Sequence, residues 1–206
     1  MRNCLNSMEY ISVSTTCSLY NMSAGKGVAV FCAASESIDK LYVDAAYEVG
    51  AMLGRVGASL VYGGARFGLM EATAKAAKSA GAHIIGVVPD ILVERNRVST
   101  LLDEHIPCRN LSERKDIMLE KSEILVALPG GIGTLDEIFH VMAAATIGYH
   151  SKRVVLYNVN GFWDGLCSVL DNFNAAGFIR GDFERFMVVA NSVEELEQLI
   201  KEVIDE

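Results

Sequence analysis

The 206-residue chain is short of basic charge, with 18 Lys and Arg residues against 26 Asp and Glu residues and a net charge of −8. Proteins that grip a nucleic-acid backbone need a basic face, so this balance argues against nucleic acid as a partner. A small phosphorylated ligand needs only a few local donors and stays compatible with it. The sequence also lacks an apolar run of roughly 18 residues, which a membrane span requires, and its N-terminus lacks the apolar stretch of a signal peptide.

Cysteine is scarce and shows no pairing pattern. The five cysteines are odd in number and include no Cys-x-x-Cys pair: Cys4, Cys17, Cys32, Cys108 and Cys167. Reduced thiols and a cytoplasmic location are therefore expected. Cys32 lies in an apolar segment and is interpreted as a small core residue. The four histidines show no metal-ligand spacing, so we expect neither a metal nor another cofactor.

Residues 1–25 differ from the rest of the chain, because they are rich in Ser, Thr and Asn. We interpret them as a tail that is loosely packed or disordered, followed by one domain over 26–206, a length that suits a single α/β domain. From Lys26 onward, short apolar segments alternate with segments of helical periodicity. Strands are predicted at 27–34, 58–62, 83–88, near His105, and at 123–128, 153–157 and 186–189. Helices are predicted at 39–56, 69–80, 112–121, 135–147, 162–176 and from the Ser192 cap onward.

This alternation predicts an α/β fold, a parallel sheet with helices on both faces. In such sheets ligands bind beyond the carboxyl ends of the strands. Two loops in that position are rich in glycine, Tyr62–Met70 and Pro129–Thr134. A glycine-rich loop between a strand and a helix directs free backbone N–H groups and the helix dipole at one point, which suits a phosphate. Two such loops on one sheet favour a ligand site over a pair of simple tight turns.

Neither loop matches a better-known nucleotide motif. Gly63 and Gly68 have Walker A spacing, but Leu69 and Met70 replace the Lys and the Ser or Thr, which argues against triphosphate hydrolysis. Gly131-x-Gly133 begins like a dinucleotide fingerprint, but the third glycine position holds an Asp. Glycine-rich loops without these triphosphate and dinucleotide features fit a monophosphate ligand.

Glu137 has two interpretations. Thr134-x-x-Glu137 matches a capping box, a structural role. A glutamate in the first turn of a helix also lies in positive potential, which favours its charged form and suits a base or a stabiliser of positive charge. The neighbouring Asp136 points about 100° around the helix and is interpreted as a solvated charge.

Arg114 and Lys115 open another predicted helix, which we expect Ser112 to cap. Two cations near a helix start oppose its dipole, at a cost of about 0.3–1 kcal/mol each. A nearby anion would explain that arrangement, since arginine binds phosphate in a bidentate manner. A solvated helix start explains it equally well.

Three ordered blocks give the chain a family resemblance. They are Tyr62–Met70 (Tyr-Gly-Gly-x-x-x-Gly-Leu-Met), Glu113–Lys115 with Met118, and Pro129–Glu137 (Pro-Gly-Gly-x-Gly-Thr-x-x-Glu). With these blocks the chain resembles the LOG (Lonely Guy) phosphoribohydrolases, which activate cytokinins and were earlier labelled lysine decarboxylases. The resemblance extends from about Val28 to the last helix.

The resemblance implies a Rossmann-like, doubly wound fold and a homodimer with active sites near the interface. It also implies hydrolysis of the N-glycosidic bond of a nucleoside 5′-monophosphate to the free base and ribose 5-phosphate. By position, Arg114 and Glu137 form the catalytic pair. The implied substrate-binding residues are Gly63, Gly64, Met70, Lys115, Met118, Gly130, Gly131, Ile132, Gly133 and Thr134.

The chain departs from this family mainly at positions that contact the base. Ala143 replaces a Thr, Ala144 and Ala145 replace a Trp region, and Asn96 replaces a Glu. Cytokinin riboside monophosphate and AMP are therefore both open as substrates. A nucleotide or molybdenum-cofactor carrier of the same fold is the alternative function. A carrier needs the glycine loops but not Arg114 with Glu137, which favours an enzyme. A decarboxylase would need pyridoxal phosphate on a lysine, and no lysine lies in a fitting motif.

Overall fold

The computed structural model describes residues 26–179 and 183–205, so the predicted tail at 1–25 lies outside the described residues. The strands are β1 (Gly27–Phe31), β2 (Ser59–Tyr62), β3 (Ile84–Pro89), β4 (Glu104–Cys108), β5 (Ile124–Ala127), β6 (Val154–Tyr157) and β7 (Met187–Ala190). The α-helices are α1 (Lys40–Arg55), α2 (Gly68–Ser79), α3 (Asp90–Glu94), α4 (Leu111–Glu120), α5 (Ile132–Thr146), α6 (Asp164–Ala175) and α7 (Val193–Ile204). Two 3₁₀ turns complete the described elements, Val159–Gly161 and Phe183–Arg185.

The seven strands form one parallel sheet in the order β4-β3-β2-β1-β5-β6-β7. The predicted doubly wound, Rossmann-like α/β fold is thereby confirmed. The chain winds outward from β1 in both directions, so the strand order reverses between β1 and β5. Loops that leave these two strands diverge to opposite faces of the sheet and open a crevice between them.

Alternation along the strands divides the core into two layers, because successive side chains point to opposite faces. In β1, Val28 and Val30 pack towards α1, α2 and α7, while Ala29 and Phe31 pack towards α4, α5 and α6. Both faces of the central strands are buried, which explains their continuous apolar sequences. Among the described residues, no helix is long and apolar enough to cross a membrane.

The helix boundaries differ from the sequence prediction mainly at α5, which begins at Ile132 rather than at 135. The glycines of the preceding loop were interpreted as loop residues, but Gly133 is helical. The predicted cap at Ser192 is confirmed, since its hydroxyl accepts from the Glu195 N–H at 3.2 Å and Glu195 accepts from the Asn191 N–H.

Candidate active site

A cavity of about 290 Å³ opens at the carboxyl ends of β1 and β5, where the strand order reverses. The loop after β1, the start of α2, the first turns of α4 and the start of α5 line it. Its volume is close to the lower end of the range for small-molecule sites, roughly 300–1,000 Å³. The site therefore lies where the fold class predicts a ligand.

Backbone hydrogen bonds join the three loops around this cavity. The Ala33 N–H donates to the Pro129 carbonyl at 3.2 Å, and the Leu69 N–H donates to the Ala33 carbonyl at 2.9 Å. Gly68 has a φ of +57°, and a Cβ there would lie 2.7 Å from the Ala34 carbonyl carbon. Only glycine suits this conformation and this close approach, so Gly68 holds the loop after β1 against the start of α2.

The N-terminus of α5 faces the cavity with its backbone exposed. Gly131 occupies the N-cap position and provides no side-chain cap. Apart from the adjacent backbone, no atom of the described residues lies within 4 Å of the place where a Cβ would stand on Gly131 or on Gly133. The first N–H groups of a helix have no partner within the helix, and the dipole gives this end a partial positive charge. The start of α5 is therefore available to an anion.

The predicted capping box at Thr134 is wrong. Because α5 begins at Ile132, Thr134 is already its third residue and Glu137 its sixth. Thr134 packs instead against Gly130, where a Cβ would lie 2.6 Å from the Thr134 Cβ. Glu137 is consequently free of a capping role and points into the cavity.

Helix α4 is capped by Asn110 and not, as predicted, by Ser112. The Asn110 side chain accepts from the Ser112 and Glu113 N–H groups, each at 3.0 Å. Glu113 in turn pairs with Arg109 at 3.0 Å. These contacts fix the first turn of α4 and direct Arg114 into the fold.

The guanidinium of Arg114 lies over Gly63, at the end of β2. A Cβ on residue 63 would stand 2.6 Å from the Arg114 Cζ, so glycine is required for the guanidinium to lie there. Only 11% of the Arg114 side chain is exposed. Its buried Nε has no hydrogen-bond partner among the described residues. A buried, unsatisfied donor of this kind is costly unless a ligand satisfies it.

Arg114 and Glu137 face each other across the floor of the cavity. The distance from Nη1 of Arg114 to Oε1 of Glu137 is 3.8 Å, longer than a hydrogen bond. Burial raises the pKa of Glu137 from 4.5 to about 7, although the Arg114 charge lowers it. Asp136 raises this pKa further and Lys115 lowers it. The sequence-based expectation that the charged form of Glu137 is favoured is not met, because burial outweighs the Arg114 charge.

Cys32 lies beside this pair, one residue beyond β1. It is buried, as predicted for a core residue, but it also lines the cavity. Burial, with a further contribution from the Glu137 charge, raises the pKa of its thiol. The thiol therefore remains protonated, and it contributes an uncharged surface to the cavity.

Asp136 is 51% exposed, in keeping with the solvated charge that the sequence indicated, but it also forms an ion pair. Both of its carboxylate oxygens lie 2.7 Å from the Lys115 Nζ. This ion pair joins α4 to α5 at the rim of the cavity, which both residues line.

The structure divides the predicted site residues into two groups. One group lines the cavity: Met70, Arg114, Lys115, Gly131, Gly133, Thr134 and Glu137. The other group does not: Gly63, Gly64, Met118, Gly130 and Ile132. Within the second group, Met118 is fully buried in the core and Ile132 is 83% exposed to solvent.

Six lining positions were not predicted as binding residues, namely Cys32, Ala33, Ala34, Ser35, Leu111 and Asp136. Ala33 and Ser35 follow the first strand, and the rule that ligands bind beyond strand ends could have indicated them. Among the described residues, no group of three or more His, Cys, Asp or Glu side chains is placed to hold a metal ion.

Comparison with known proteins gives a family match and relatives that agree with each other. The family described as "possible lysine decarboxylase" matches residues 70–200. The probable cytokinin riboside 5′-monophosphate phosphoribohydrolase LOGL2 of Oryza sativa subsp. japonica is 38% identical over 175 residues, 85% of this chain and 72% of that protein. The phosphoribohydrolase LOG of the same plant is 36% identical over 179 residues, 87% of this chain and 74% of that protein.

A solved structure gives a second likeness. The molybdenum cofactor carrier protein of Chlamydomonas reinhardtii superposes with a TM-score of 0.67 at 25% identity, covering 88% of this chain and 99% of that one. The match to the family over most of the chain, together with relatives above 30% identity, decides the assignment. The chain belongs to the LOG family of cytokinin riboside 5′-monophosphate phosphoribohydrolases.

Proposed function

We propose that this protein hydrolyses the N-glycosidic bond of a nucleoside 5′-monophosphate to release the base and ribose 5-phosphate. The observation that carries the proposal is the buried Arg114–Glu137 pair, which faces a cavity at an uncapped helix N-terminus. The names of the plant relatives support the same reaction.

The 5′-phosphate binds at the start of α5. Gly131 and Gly133 leave the backbone accessible, and the first N–H groups of the helix point at the anion. Thr134 lines the same end of the cavity. This arrangement holds one phosphate without a metal ligand set.

Arg114 fixes the sugar phosphate in the reactive position. Its guanidinium is buried over Gly63, and its Nε has no hydrogen-bond partner among the described residues. A planar guanidinium can bind two oxygens at once, which restricts the orientation of the sugar. Holding the substrate in a reactive geometry lowers the entropic part of the barrier.

Glu137 acts on the anomeric carbon in its ionised form. Cleavage of the C1′–N bond passes through a state with positive charge on the sugar, which a carboxylate stabilises. The same carboxylate accepts a proton from the attacking water, whose oxygen bonds to C1′ while the base departs with the bond's electron pair and takes up a proton. A pKa of about 7 lets Glu137 accept and return a proton near neutral pH.

Both cytokinin riboside monophosphates and AMP are proposed as substrates. The phosphate and the ribose are held by the groups described above, whereas the base reaches the outer part of the cavity. The relatives named as cytokinin riboside 5′-monophosphate phosphoribohydrolases support the first substrate. The alanines at 143–145, where the family resemblance implies a Thr and a Trp region, leave the choice of base open, and none of the three lines the cavity of this chain.

A binding protein without catalysis is the second candidate. The likeness to the molybdenum cofactor carrier of Chlamydomonas reinhardtii favours it. A carrier requires a site for an anionic group, which the start of α5 provides. It does not require a carboxylate whose pKa lies near 7 beside a buried arginine.

A homodimer is proposed as the active form. Four large apolar side chains, 42–81% exposed, line a groove between α5 and α6: Phe139, Ile147, Phe173 and Phe178. Exposed apolar patches of this kind mark interaction sites, and a second copy would cover the same helix that begins the active site. Phe173→Glu should yield a monomer in light scattering, whereas wild type should have twice the monomer mass.

A cytoplasmic location is also proposed, and the free thiols of the described cysteines are in keeping with it.

The activity test uses purified full-length protein with AMP and with isopentenyladenosine monophosphate, and measures ribose 5-phosphate. We expect release from at least one substrate by wild type and by Asp44→Asn, a control at an exposed ion pair on α1. Glu137→Gln should bind the nucleotide without turning it over. Binding by wild type without any release would favour the carrier.

A further inference from the structure

Three consecutive residues of α4 each face an oppositely charged or titratable partner on α5. Arg114 faces Glu137 at 3.8 Å, Lys115 faces Asp136 at 2.7 Å, and Asp116 faces His140 at 3.0 Å. The two helices meet at the cavity, where these three contacts lie beside the apolar packing of Met118 against α5. The spacing of α4 and α5 determines how closely the two predicted catalytic side chains approach.

The three contacts differ in length and exposure. Lys115 contacts both oxygens of Asp136 at 2.7 Å, although only 12% of the Lys115 side chain is exposed. Arg114 and Glu137 are buried but too far apart for a hydrogen bond. Asp116 is 68% exposed, and its partner His140 carries a charge only when protonated. The Lys115–Asp136 contact is the shortest of the three, and it joins both oxygens of the half-exposed Asp136 carboxylate to a largely buried lysine. It therefore has the geometry of a hydrogen-bonded ion pair between the two helices.

We propose that Lys115 and Asp136 are positioning residues: their ion pair holds α4 against α5 so that Arg114 and Glu137 lie close without bonding to each other. This inference rests on the proposed function, because it concerns the same pair. If Lys115 were released, α4 could move away from α5 and Arg114 could leave its place over Gly63. A misplacement of about 1 Å is enough to cost on the order of 100-fold in rate.

The pair also balances the charge around Glu137. The groups that face Glu137 are Arg114 and Lys115 on α4, Asp136 on α5 and the Cys32 thiol after β1. Asp136 raises the pKa of Glu137, while Lys115 lowers it. Because the two are bound to each other, their opposing effects largely cancel. Removing one partner leaves the other uncompensated.

The two single variants should therefore act in opposite directions on the pH profile. Asp136→Asn leaves the Lys115 cation, so the acidic limb of the kcat/KM profile should move to lower pH. Lys115→Met leaves the Asp136 anion, so the same limb should move to higher pH. Each should also lower kcat about tenfold, as expected for residues that hold catalytic groups in place.

The exchanged double variant, Lys115→Asp with Asp136→Lys, separates positioning from substrate contact. If the pair positions the helices, the exchange restores kcat to within about threefold of wild type, as strong coupling between contacting residues predicts. If Lys115 instead binds the phosphate directly, KM rises strongly and the exchange does not restore it. The latter result would overturn the proposal. Lys201→Met, at a surface ion pair on α7, is the matched control and should leave both constants unchanged.

A readout without turnover separates this inference from the proposed function. Carboxyl NMR of protein labelled with ¹³C-glutamate follows the titration of Glu137, assigned by Glu137→Gln. If the pKa of Glu137 moves in opposite directions in the two single variants, the proposed role of the Lys115–Asp136 pair is supported even if no substrate is hydrolysed. Identical titration in wild type and both variants would overturn the proposal even if the enzyme is active.

Discussion

The two glycine-rich loops both follow a buried strand and begin a helix, but their glycines differ in how closely other protein atoms approach them. In Tyr62–Met70, the glycines are crowded: Gly63 lies under Arg114, and Gly68 contacts the backbone after β1 at a φ of +57°. In Pro129–Thr134, Gly130 packs against Thr134, but no described atom beyond the adjacent backbone lies within 4 Å of a Cβ position on Gly131 or Gly133. The first loop uses glycine to make room for the protein, and the second to leave room for a ligand.

Each loop also serves one member of the proposed catalytic pair. The first loop seats the Arg114 guanidinium, and the second begins the helix that carries Glu137. By sequence motif alone, both loops are predicted to bind phosphate. Substitutions that add one methyl group, or remove one charge, should show that the two loops have different roles.

The largest effect is expected at the end of the second loop. Glu137→Gln should lower kcat about 10²–10⁴-fold, because the amide can neither accept the water proton nor stabilise positive charge. For wild type, kcat/KM should rise with pH and level off just above pH 7, where Glu137 is ionised. Rate measurements from pH 5 to 9 check both, and a rate that falls through this range would identify Glu137 as a general acid instead.

The same variant has a stability consequence with a defined sign. The folded-state pKa of Glu137 lies above its unfolded value of 4.5, so the folded protein binds its proton more tightly. This group therefore costs stability as pH rises from about 4.5 to above 7, by up to about 3 kcal/mol. Glu137→Gln should be more stable than wild type at pH 8 and not at pH 4.5 in urea unfolding. A gain independent of pH would contradict this.

Next in size is the crowded loop. Gly63→Ala places a methyl group where the Arg114 guanidinium lies, and the guanidinium can move because it ends a flexible side chain. We expect about 100-fold lower kcat/KM with little loss of folding stability. Kinetics and thermal unfolding measure the two effects. Gly165→Ala on α6, where the space is open, is the control and should leave the rate unchanged.

Gly68→Ala should act on the fold rather than on one side chain. A positive φ and contact with backbone atoms of Ala33 and Ala34 leave no room for adjustment. The cost should be about 1–3 kcal/mol of unfolding free energy. Denaturant titration checks it, and an unchanged midpoint would show that the first loop is less crowded than the structure indicates.

The smallest effect is expected at the open loop. Gly133→Ala meets no protein atom and introduces a better helix former, so stability should not fall. The methyl group stands on the face that a phosphate would approach, so KM should rise about tenfold with kcat nearly unchanged, as expected when ground-state and transition-state binding weaken equally. An unchanged KM would place the phosphate elsewhere.

The sequence by itself determined the fold class and the location of the site. Short continuous apolar segments and apolar residues with a period of 3.6 are local signals of burial, so the strands and helices follow from residues close in the chain. The glycine loops after β2 and β5 likewise indicated an anion site, and the family blocks indicated Arg114 and Glu137. Ser192 was recognised as a cap for the same reason, since Glu195 is only three residues away.

Tertiary structure decided the properties that depend on distant residues. Lys115 and Asp136 are 21 positions apart, and only packing of α4 on α5 joins them. The pKa of Glu137 could not follow from its place in a helix, because it depends on burial and on Arg114 and Lys115, which are distant in the chain. The different roles of Gly63 and Gly133 also could not be predicted from the sequence. A glycine indicates that a side chain is not tolerated at its position, but not whether protein or ligand occupies the space.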